Sequence, residues 1–461
     1  MRLRIGRTFS RPGTQRVSGN RRRRAAARSP AALHTLEIDN LSHEGRGVAR
    51  HEGKTVFVDG ALAGEMVTAR VLRSHGRYDE AETIAVLRAA TARVTPPCPH
   101  YGICGGCSFQ HAAESAQLEH KQGVLLELLR HQGGLVAQRV AEPIRSPQWG
   151  YRRKARLGVK YVTKKGGVLV GFRERAKPYV ADCFQCNILD ARVSAAIPDL
   201  RTLIQGLSIR DRLPQIEVAV GDTEVALVLR HLAPLSVEDH AALVDYATRS
   251  GFTLLLQPGG YDTITDLHGQ PPVSLTYVVE NETIAFLPTD FTQVNPYINA
   301  QMVARALTHL ELGASDRVAD LFCGVGNFTL PIARRAGQVT GIEGEAGLVA
   351  RARANAERNG LNNVEFAVSN LEDTAAVAVL SLTSADKVLL DPPRAGALTL
   401  LEGLRFEQCQ RLVYVSCSPV TFARDAAVLV AHHGFALIET GILDMFPNTA
   451  HVESLSLFVR E

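Results

Sequence analysis

The chain has 461 residues, 46% of them hydrophobic and 21% charged, which is typical of a globular protein with roughly two to four domains. No apolar run approaches the roughly 18 residues of a membrane span, so we expect no membrane association and a cytoplasmic location. The formal net charge is +4, but residues 1–30 hold ten arginines and no acid, and removing those ten charges leaves −6 for residues 31–461.

The arginine-rich segment, residues 1–30, is therefore treated as a unit of its own. Its block from Arg21 to Arg24 is typical of a disordered basic extension that can contact nucleic acid. A solvated extension without function and an organelle presequence have the same composition. The sequence leaves all three interpretations open.

Residues 31–90 are predicted to form a small β-barrel. Apolar and polar positions alternate in short stretches, and glycine turns such as Asp59-Gly60 and Ala63-Gly64 separate them. The glycine-rich loops and basic residues of this OB-like segment resemble the TRAM domain, an RNA-binding module of RNA-modifying enzymes.

Five of the eight cysteines lie in a central α+β segment, residues 91–285. They are Cys98, Cys104 and Cys107 in one glycine-rich loop, followed far downstream by Cys183 and Cys186. An iron–sulfur cluster would use the three loop cysteines and one of the downstream pair, whereas zinc would use the two Cys-x-x-Cys pairs. Spacing alone leaves both metals open.

Two further elements are predicted in the central segment. Leucines at helical spacing indicate an amphipathic helix around residues 117–133. We expect this helix to pack on the C-terminal part of the chain, residues 286–461. Residues 151–177 form a predicted β-hairpin with ten basic residues and one acid. A charge run is usually a solvated face, but the interleaved aromatic residues favour a nucleic-acid surface.

Residues 286–461 alternate predicted strands and helices, which indicates a Rossmann-like parallel α/β sheet. A first strand leads into a tight loop with Gly324 and Gly326, and the next ends at Glu343, where a carboxylate can accept both ribose hydroxyls. A third strand ends near Asn370, placed for an adenine edge. No further glycine or lysine is present to hold phosphates, so the pattern favours S-adenosylmethionine.

Two later strands deliver reactive groups. One ends at Asp391, which the following proline restricts to extended geometry, and the next ends at Cys417. A thiolate that adds to C6 of uracil activates C5 for methylation, and a base must then remove the C5 proton. His451 and Glu453, on one face of the last strand, are the candidate bases. The alternative for Cys417 is a buried structural cysteine.

Four segments resemble the RNA 5-methyluridine methyltransferases: Asp320 to Asn327, Asp391 to Arg394, Ser416 to Pro419 and Asp444 to Glu453. The resemblance covers residues 35–461 and implies a class I S-adenosylmethionine-dependent methyltransferase domain. It implies Cys417 as the nucleophile and Glu453 as the base. It also implies a set of residues around the cofactor and the uracil: Gln293, Phe322, Asn327, Glu343, Asn370 and Asp391.

Family members with such a cysteine loop carry a [4Fe–4S] cluster, which implies four ligands and leaves Cys183 outside the pattern. These ligands are Cys98, Cys104, Cys107 and Cys186. A barrel combined with a cluster is most similar to bacterial members that act on 23S ribosomal RNA, so we expect that substrate and a monomeric enzyme. The alternatives are a tRNA uridine, methylation of an amino group, or a non-catalytic RNA-binding iron–sulfur protein.

Overall fold

The computed structural model describes residues 32–378 and 384–460, so the arginine-rich segment predicted at residues 1–30 lies outside the described residues. The first part of the fold is a six-stranded sheet made of β1 (Leu33–Glu37), β2 (Asn40–Leu41), β3 (Gly47–His51), β4 (Lys54–Asp59), β5 (Met66–Ser74) and β6 (Tyr78–Arg88). Its order is β1-β5-β6-β4-β3-β2, and β1 also contacts β3. The sheet therefore curls back on itself, around a core of small side chains such as Val58, Val67 and Ala69.

The central part of the chain forms a second six-stranded sheet with two helices on it. The elements of this part of the chain are α1 (Glu114–His131), β7 (Arg139–Val140), β8 (Lys154–Val162), β9 (Gly167–Gly171), α2 (Ala191–Gly206), β10 (Gln215–Val220), β11 (Val225–Arg230), α3 (Val237–Ser250), β12 (Thr253–Gln257) and β13 (Thr265–Asp266). Of these, α1 and β7 belong with the large sheet described below. The strand order is β13-β12-β11-β10-β8-β9. The predicted hairpin is β8 and β9, and Gly166 at φ 78° lies in its turn. A separate hairpin follows, β14 (Leu275–Val279) with β15 (Glu282–Phe286).

The last part of the chain contains the largest sheet. Its elements are α4 (Pro296–Leu310), β16 (Arg317–Leu321), α5 (Thr329–Ala333), β17 (Gln338–Glu343), α6 (Ala346–Arg358), β18 (Val364–Val368), α7 (Thr374–Ala378), β19 (Lys387–Leu390), α8 (Leu398–Gly403), β20 (Arg411–Ser416), α9 (Pro419–His433), β21 (Ala436–Leu443) and β22 (Glu453–Val459). The strand order is β18-β17-β16-β19-β20-β22-β21-β7.

This sheet is the predicted Rossmann-like fold. Strands β16 to β20 run parallel, and their central members are buried along their length because helices cover both faces. The chain order reverses at β16, with β17 and β18 on one side and β19 and β20 on the other. Ligands in such sheets bind beyond the carboxyl ends of the strands at this reversal.

Helix α1 packs on this large sheet and not on the central one. Its apolar side chains, including Leu118, Leu125 and Leu129, share a core with α9 and β21. Strand β7 continues in the same direction and extends the sheet edge beside β21.

Across residues 32–378 and 384–460, no helix has the length and hydrophobicity that crossing a bilayer requires.

Candidate active site

Strand register brings Cys417 and Glu453 to the same place. Antiparallel β20 and β22 pair from Arg411 with Val459 up to Ser416 with Ser454. The ladder ends there. Cys417 follows β20 directly, Glu453 begins β22, and the charge of Glu453 acts on the Cys417 thiol. The predicted nucleophile and the predicted base are therefore neighbours at the carboxyl end of β20.

The surroundings of Cys417 keep its thiol protonated. Burial, together with the charges of Glu453 and Asp391, raises the pKa of Cys417 to about 11, while Arg394 opposes them. Arg394 is exposed and lies on the loop after β19. A cation that favours the thiolate therefore lies on the solvent side of Cys417.

Asp391 lies next to this pair, immediately after β19. Burial raises the pKa of Asp391 well above its usual range, and the nearby charges of Glu453 and Asp320 act in the same direction. Gln293 donates a hydrogen bond from Nε2 to Asp391 Oδ2 at 3.3 Å. The structure thus brings together Cys417, Glu453, Asp391 and Gln293, while His451 lies at the rim with Nε2 3.6 Å from Glu453 Oε1.

The residues predicted to hold the cofactor occupy the neighbouring strand ends. Glu343 at the end of β17 accepts a hydrogen bond from the Gly324 backbone at 3.2 Å, so the two loops are tied together. Phe322 has a φ of +66°, a conformation that is costly for a non-glycine residue and that turns the chain sharply after β16. A side chain at Gly324 would meet no atom within 4 Å, so open space lies over this loop.

Asn327 and Asn370 are already engaged by the protein. Asn327 Oδ1 accepts hydrogen bonds from Tyr277 and from Asn299, each at 2.9 Å, and its Nδ2 donates back to Asn299 at 2.9 Å. Asn370 Oδ1 accepts from the Glu372 backbone at 3.0 Å. These contacts fix the two loops and leave part of each amide free for a ligand.

Asp320 and Lys121 are two buried charged residues that sequence reasoning did not single out. Burial raises the pKa of Asp320 to about 7, and its Oδ1 is buried without a hydrogen-bond partner among the described residues. An acid at the end of β16, one residue before a sharp turn, is a signal that could have identified Asp320. Nothing in the sequence distinguishes Lys121 from an ordinary helix lysine.

A second site is the cysteine cavity, lined by Cys98, Cys104, Cys107, Cys183 and Cys186. The loop of residues 98–107 and the segment 183–186 meet here, as the sequence predicted for a shared metal site. In the described parts of the chain, no three or more histidine, cysteine or acidic side chains are arranged to bind a single metal ion.

Hydrogen bonds around the cavity differ from one sulfur to the next. The Gly106 backbone donates to Cys104 Sγ at 3.4 Å, Gln110 bonds Cys107, and the backbone at Ile188 and Leu189 bonds Cys186. Burial still raises the pKa of Cys107 to about 12 and that of Cys186 to about 11. Cys183 is hydrogen-bonded to Cys104, which lowers the pKa of Cys104 to about 7.

The basic hairpin is less available to a ligand than its charge count indicates. Lys154 is largely buried, donates from Nζ to the Pro288 carbonyl at 3.0 Å and also bonds the Asp290 carbonyl. Arg153 forms an ion pair with Asp222 at 2.6 Å. These side chains hold the hairpin to its surroundings, so the exposed positive charge lies further along.

Comparisons with known proteins agree with this arrangement. The sequence profile of the tRNA (Uracil-5-)-methyltransferases matches residues 114–461, and that of the TRAM domain matches residues 34–84. The 23S rRNA (uracil(1939)-C(5))-methyltransferase RlmD of Alkalilimnicola ehrlichii is 49% identical over 96% of this chain and 99% of its own length. The protein of the same name from Azoarcus sp. (strain BH72) is 49% identical over 93% of this chain and 100% of its own.

Among solved structures, the tRNA (uracil-54, C5)-methyltransferase of Pyrococcus abyssi in complex with S-adenosyl-L-homocysteine is similar over nearly the whole chain. The TM-score is 0.71 and the sequence identity 25%, with 92% of this chain and 100% of that one covered. The family profile covers three quarters of the chain. It includes every strand of the large sheet, together with the strand ends that carry the candidate site residues. The chain therefore belongs to the tRNA (uracil-5-)-methyltransferase family.

Proposed function

We propose that this enzyme transfers a methyl group from S-adenosylmethionine to C5 of a uridine in 23S ribosomal RNA. The observation that supports the chemistry is the pairing of β20 with β22, whose ladder ends at Ser416 and Ser454, the residues next to Cys417 and Glu453. The RNA class is proposed from the relatives, which are named as 23S rRNA enzymes and match over almost their full length. A ribosomal RNA substrate implies that the enzyme works in the cytoplasm, and we expect it to act as a monomer.

In the proposed reaction, the Cys417 thiol first loses its proton to solvent. The thiolate sulfur then bonds to C6 of the uracil, and the electron pair of the C5–C6 double bond becomes available at C5. S-adenosylmethionine, when bound, supplies the methyl group that C5 receives. Glu453 then takes the proton from C5, the double bond re-forms, and the bond between sulfur and C6 breaks. Each residue acts on one of two adjacent carbon atoms, which matches side chains on adjacent strands.

Asp391 and Gln293 are proposed to hold the uracil. A buried carboxyl group with a raised pKa can donate a hydrogen bond to a base carbonyl, and the Gln293 amide can both donate and accept. Glu343, Phe322, Asn327 and Asn370 are proposed to hold the cofactor. The open space over Gly324 and the unpartnered oxygen of Asp320 support a ligand at this edge of the sheet.

We also propose a [4Fe–4S] cluster on Cys98, Cys104, Cys107 and Cys186. A four-iron cluster spreads its cysteine ligands further apart than a single ion does, so the absence of single-ion geometry among the described residues leaves this proposal intact. Hydrogen bonds from backbone and amide nitrogen to three of the four sulfurs support it, because such bonds stabilise thiolate ligands. When bound, the cluster would join two distant segments of the chain.

An RNA contact is proposed at a basic groove of about 440 Å³ beside the cysteine cavity, lined in part by Gly105, Gly106, Arg156, Arg173 and Arg175. Arg156 and Arg175 form ion pairs at its walls, and Arg173 is exposed. Changing Arg173 to glutamine is expected to weaken RNA binding and to reduce its salt dependence by about one unit of slope.

The decisive experiment is trapping on RNA that contains 5-fluorouridine. Fluorine cannot leave C5 as a proton does, so an enzyme that uses a cysteine adduct stays covalently attached after methyl transfer. A covalent complex that needs Cys417 supports the proposal, and methylation without any adduct would contradict it in favour of amino-group methylation. Mapping 5-methyluridine in ribosomal and transfer RNA from a strain without the gene would separate the 23S substrate from a tRNA.

A further inference from the structure

Lys121 is a fully buried lysine beside the catalytic strand ends. It lies on the inner face of α1 and has no exposed surface. Its Nζ lies 2.6 Å from Asp444 Oδ1 and donates to the Phe446 carbonyl at 3.0 Å. Burying a charged pair costs free energy that an apolar pair of similar size avoids, so such pairs are weak evidence for a role in stability alone.

The residues that Lys121 contacts belong to the base loop, residues 444–452, which joins β21 to β22 and leads directly into Glu453. Leu443 pairs with Glu453 in register, so Asp444 begins the loop at the point where Glu453 ends it. Carbonyls along the loop accept hydrogen bonds from separate segments: Met445 from Asn295, Phe446 from Lys121, Pro447 from Tyr151 and Asn448 from the Phe109 backbone. Lys121 is the charged member of this set.

Helix α1 holds the loop at two points one turn apart. Gln117 Oε1 accepts a hydrogen bond from the Asn448 backbone at 2.8 Å, and Lys121 reaches Asp444 and Phe446. Residues four apart on a helix lie on the same face, so one rigid face contacts both ends of the turn.

Charged groups around the site act on Lys121. Burial lowers the pKa of Lys121, and the nearby charges of Asp444 and Glu453 oppose that shift. The other ionisable groups facing Glu453 are Asp391, Cys417 and His451, and the remaining one beside Lys121 is His120. Among them, Lys121 is the buried cation.

We propose that Lys121 is a positioning residue for the release step, which fixes the base loop that leads into Glu453 beside Cys417. The inference rests on the proposed role of Glu453. Lys121 touches neither the uracil nor the cofactor in this scheme and acts through the loop.

The test compares Lys121→Met with the double variant Lys121→Met/Asp444→Asn, which removes the carboxylate that the single change leaves unpaired. We expect product release in both variants to slow at least about tenfold at neutral pH, with methylated covalent complex accumulating. The KM for RNA should change less than about twofold, since Lys121 lies beneath the site.

The matched control is Lys387→Met. Lys387 is also buried and pairs with Asp316 at 2.6 Å, but it lies at the opposite end of the sheet, at the start of β19. This variant should lose stability and still release product normally at temperatures where it is folded. Accumulation of the covalent complex in Lys387→Met would mean that any lost ion pair has this effect, and it would overturn the inference.

Glu453→Gln separates the two levels of the argument. If Glu453→Gln stalls while both Lys121 variants release product at the normal rate, the proposed function stands and the inference is wrong. If Glu453→Gln itself releases product normally, the proposed base is wrong and the inference falls with it. If Lys121→Met does not fold, the double variant carries the test. Normal product release in the double variant would show that Lys121 serves only to balance the charge of Asp444.

Discussion

The catalytic strand ends and the cysteine cavity both gather cysteines, but they are built from different kinds of structure. Cys417 is placed by a β-ladder, one step beyond the pairing of Ser416 with Ser454. The five cysteines of the cavity are placed by loops, and the isolated bridge of Cys104 with Glu174 joins two segments that both lie outside the named strands. The sheet defines the first site by itself, whereas the second requires something to join its two segments.

The two sites also differ in the groups that favour or oppose ionisation of a thiol. Cys417 faces the acids Glu453 and Asp391, which oppose its ionisation, and a single exposed arginine, which favours it. Cys186 receives two backbone hydrogen bonds that favour a thiolate, although burial opposes them. A cation in the cavity would outweigh burial. This difference fits the two proposed roles, a nucleophile at Cys417 and a set of metal ligands in the cavity.

The largest effect is expected at the nucleophile. Changing Cys417 to alanine should reduce methylation at least about 10⁴-fold, because no other group can add to C6 of the uracil. Cys409, which is buried just before the opposite end of β20, provides the matched control, and Cys409→Ala should retain activity within about twofold. Methyl transfer to RNA, measured in single turnover, checks both. Comparable losses in the two variants would indicate a folding defect and not chemistry.

The cavity should show a large effect on stability instead. Changing Cys186 to serine is expected to remove the cluster and to lower Tm by about 10 °C, because the metal-held closure of a long loop is lost. Methylation per folded molecule should fall much less than in Cys417→Ala. Visible absorption and iron content, measured on protein prepared without oxygen, check the cluster. Colourless wild-type protein with stoichiometric zinc would contradict it.

The position of most candidate site residues at one edge of the sheet could be predicted from the sequence, for a physical reason. Parallel strands buried on both faces are short apolar runs, so the polar residues after them, such as Glu343, Asp391 and Cys417, can be placed at one edge of the sheet. Which strand lies beside β20 cannot be read from the chain. The proximity of Cys417 to Glu453 depends on β22 lying between β20 and β21, and only the structure gives that order.

The contacts of charged side chains are harder to predict from the sequence. The sequence shows the ten basic residues of the hairpin but not their partners, and Lys154 is directed into the protein. Lys121 illustrates the converse, since a lysine on an amphipathic helix is normally solvated. Its partner Asp444 is more than 300 residues further along the chain. Local pattern carries no information on such contacts.

A smaller effect is expected from the cation beside the nucleophile. With a pKa of about 11, the ionised fraction of Cys417 rises about tenfold per pH unit through the neutral range, so adduct formation should rise with pH. Changing Arg394 to glutamine removes the charge that favours the thiolate and should slow adduct formation about three- to tenfold. Arg405→Gln, at an exposed position on the loop before β20 and away from Cys417, is the control. Equal rates for wild type and Arg394→Gln at every pH would contradict this role.

The smallest effect is expected at Cys183, the fifth thiol of the cavity. Cys183 is buried, hydrogen-bonded to Cys104, and held through its backbone carbonyl by Arg201 at 3.1 Å. Serine keeps nearly the same shape and can make the same hydrogen bond, and the Arg201 contact does not depend on the side chain. Cys183→Ser should therefore lose less than about 1 kcal/mol of unfolding free energy and keep its iron.

Because Cys183 and Cys186 are three residues apart and line one cavity, this variant is also the sharpest check of the ligand set. Loss of iron in Cys183→Ser with retention in Cys186→Ser would exchange their roles, and the hydrogen bonds at Cys186 would then serve only to hold the loop.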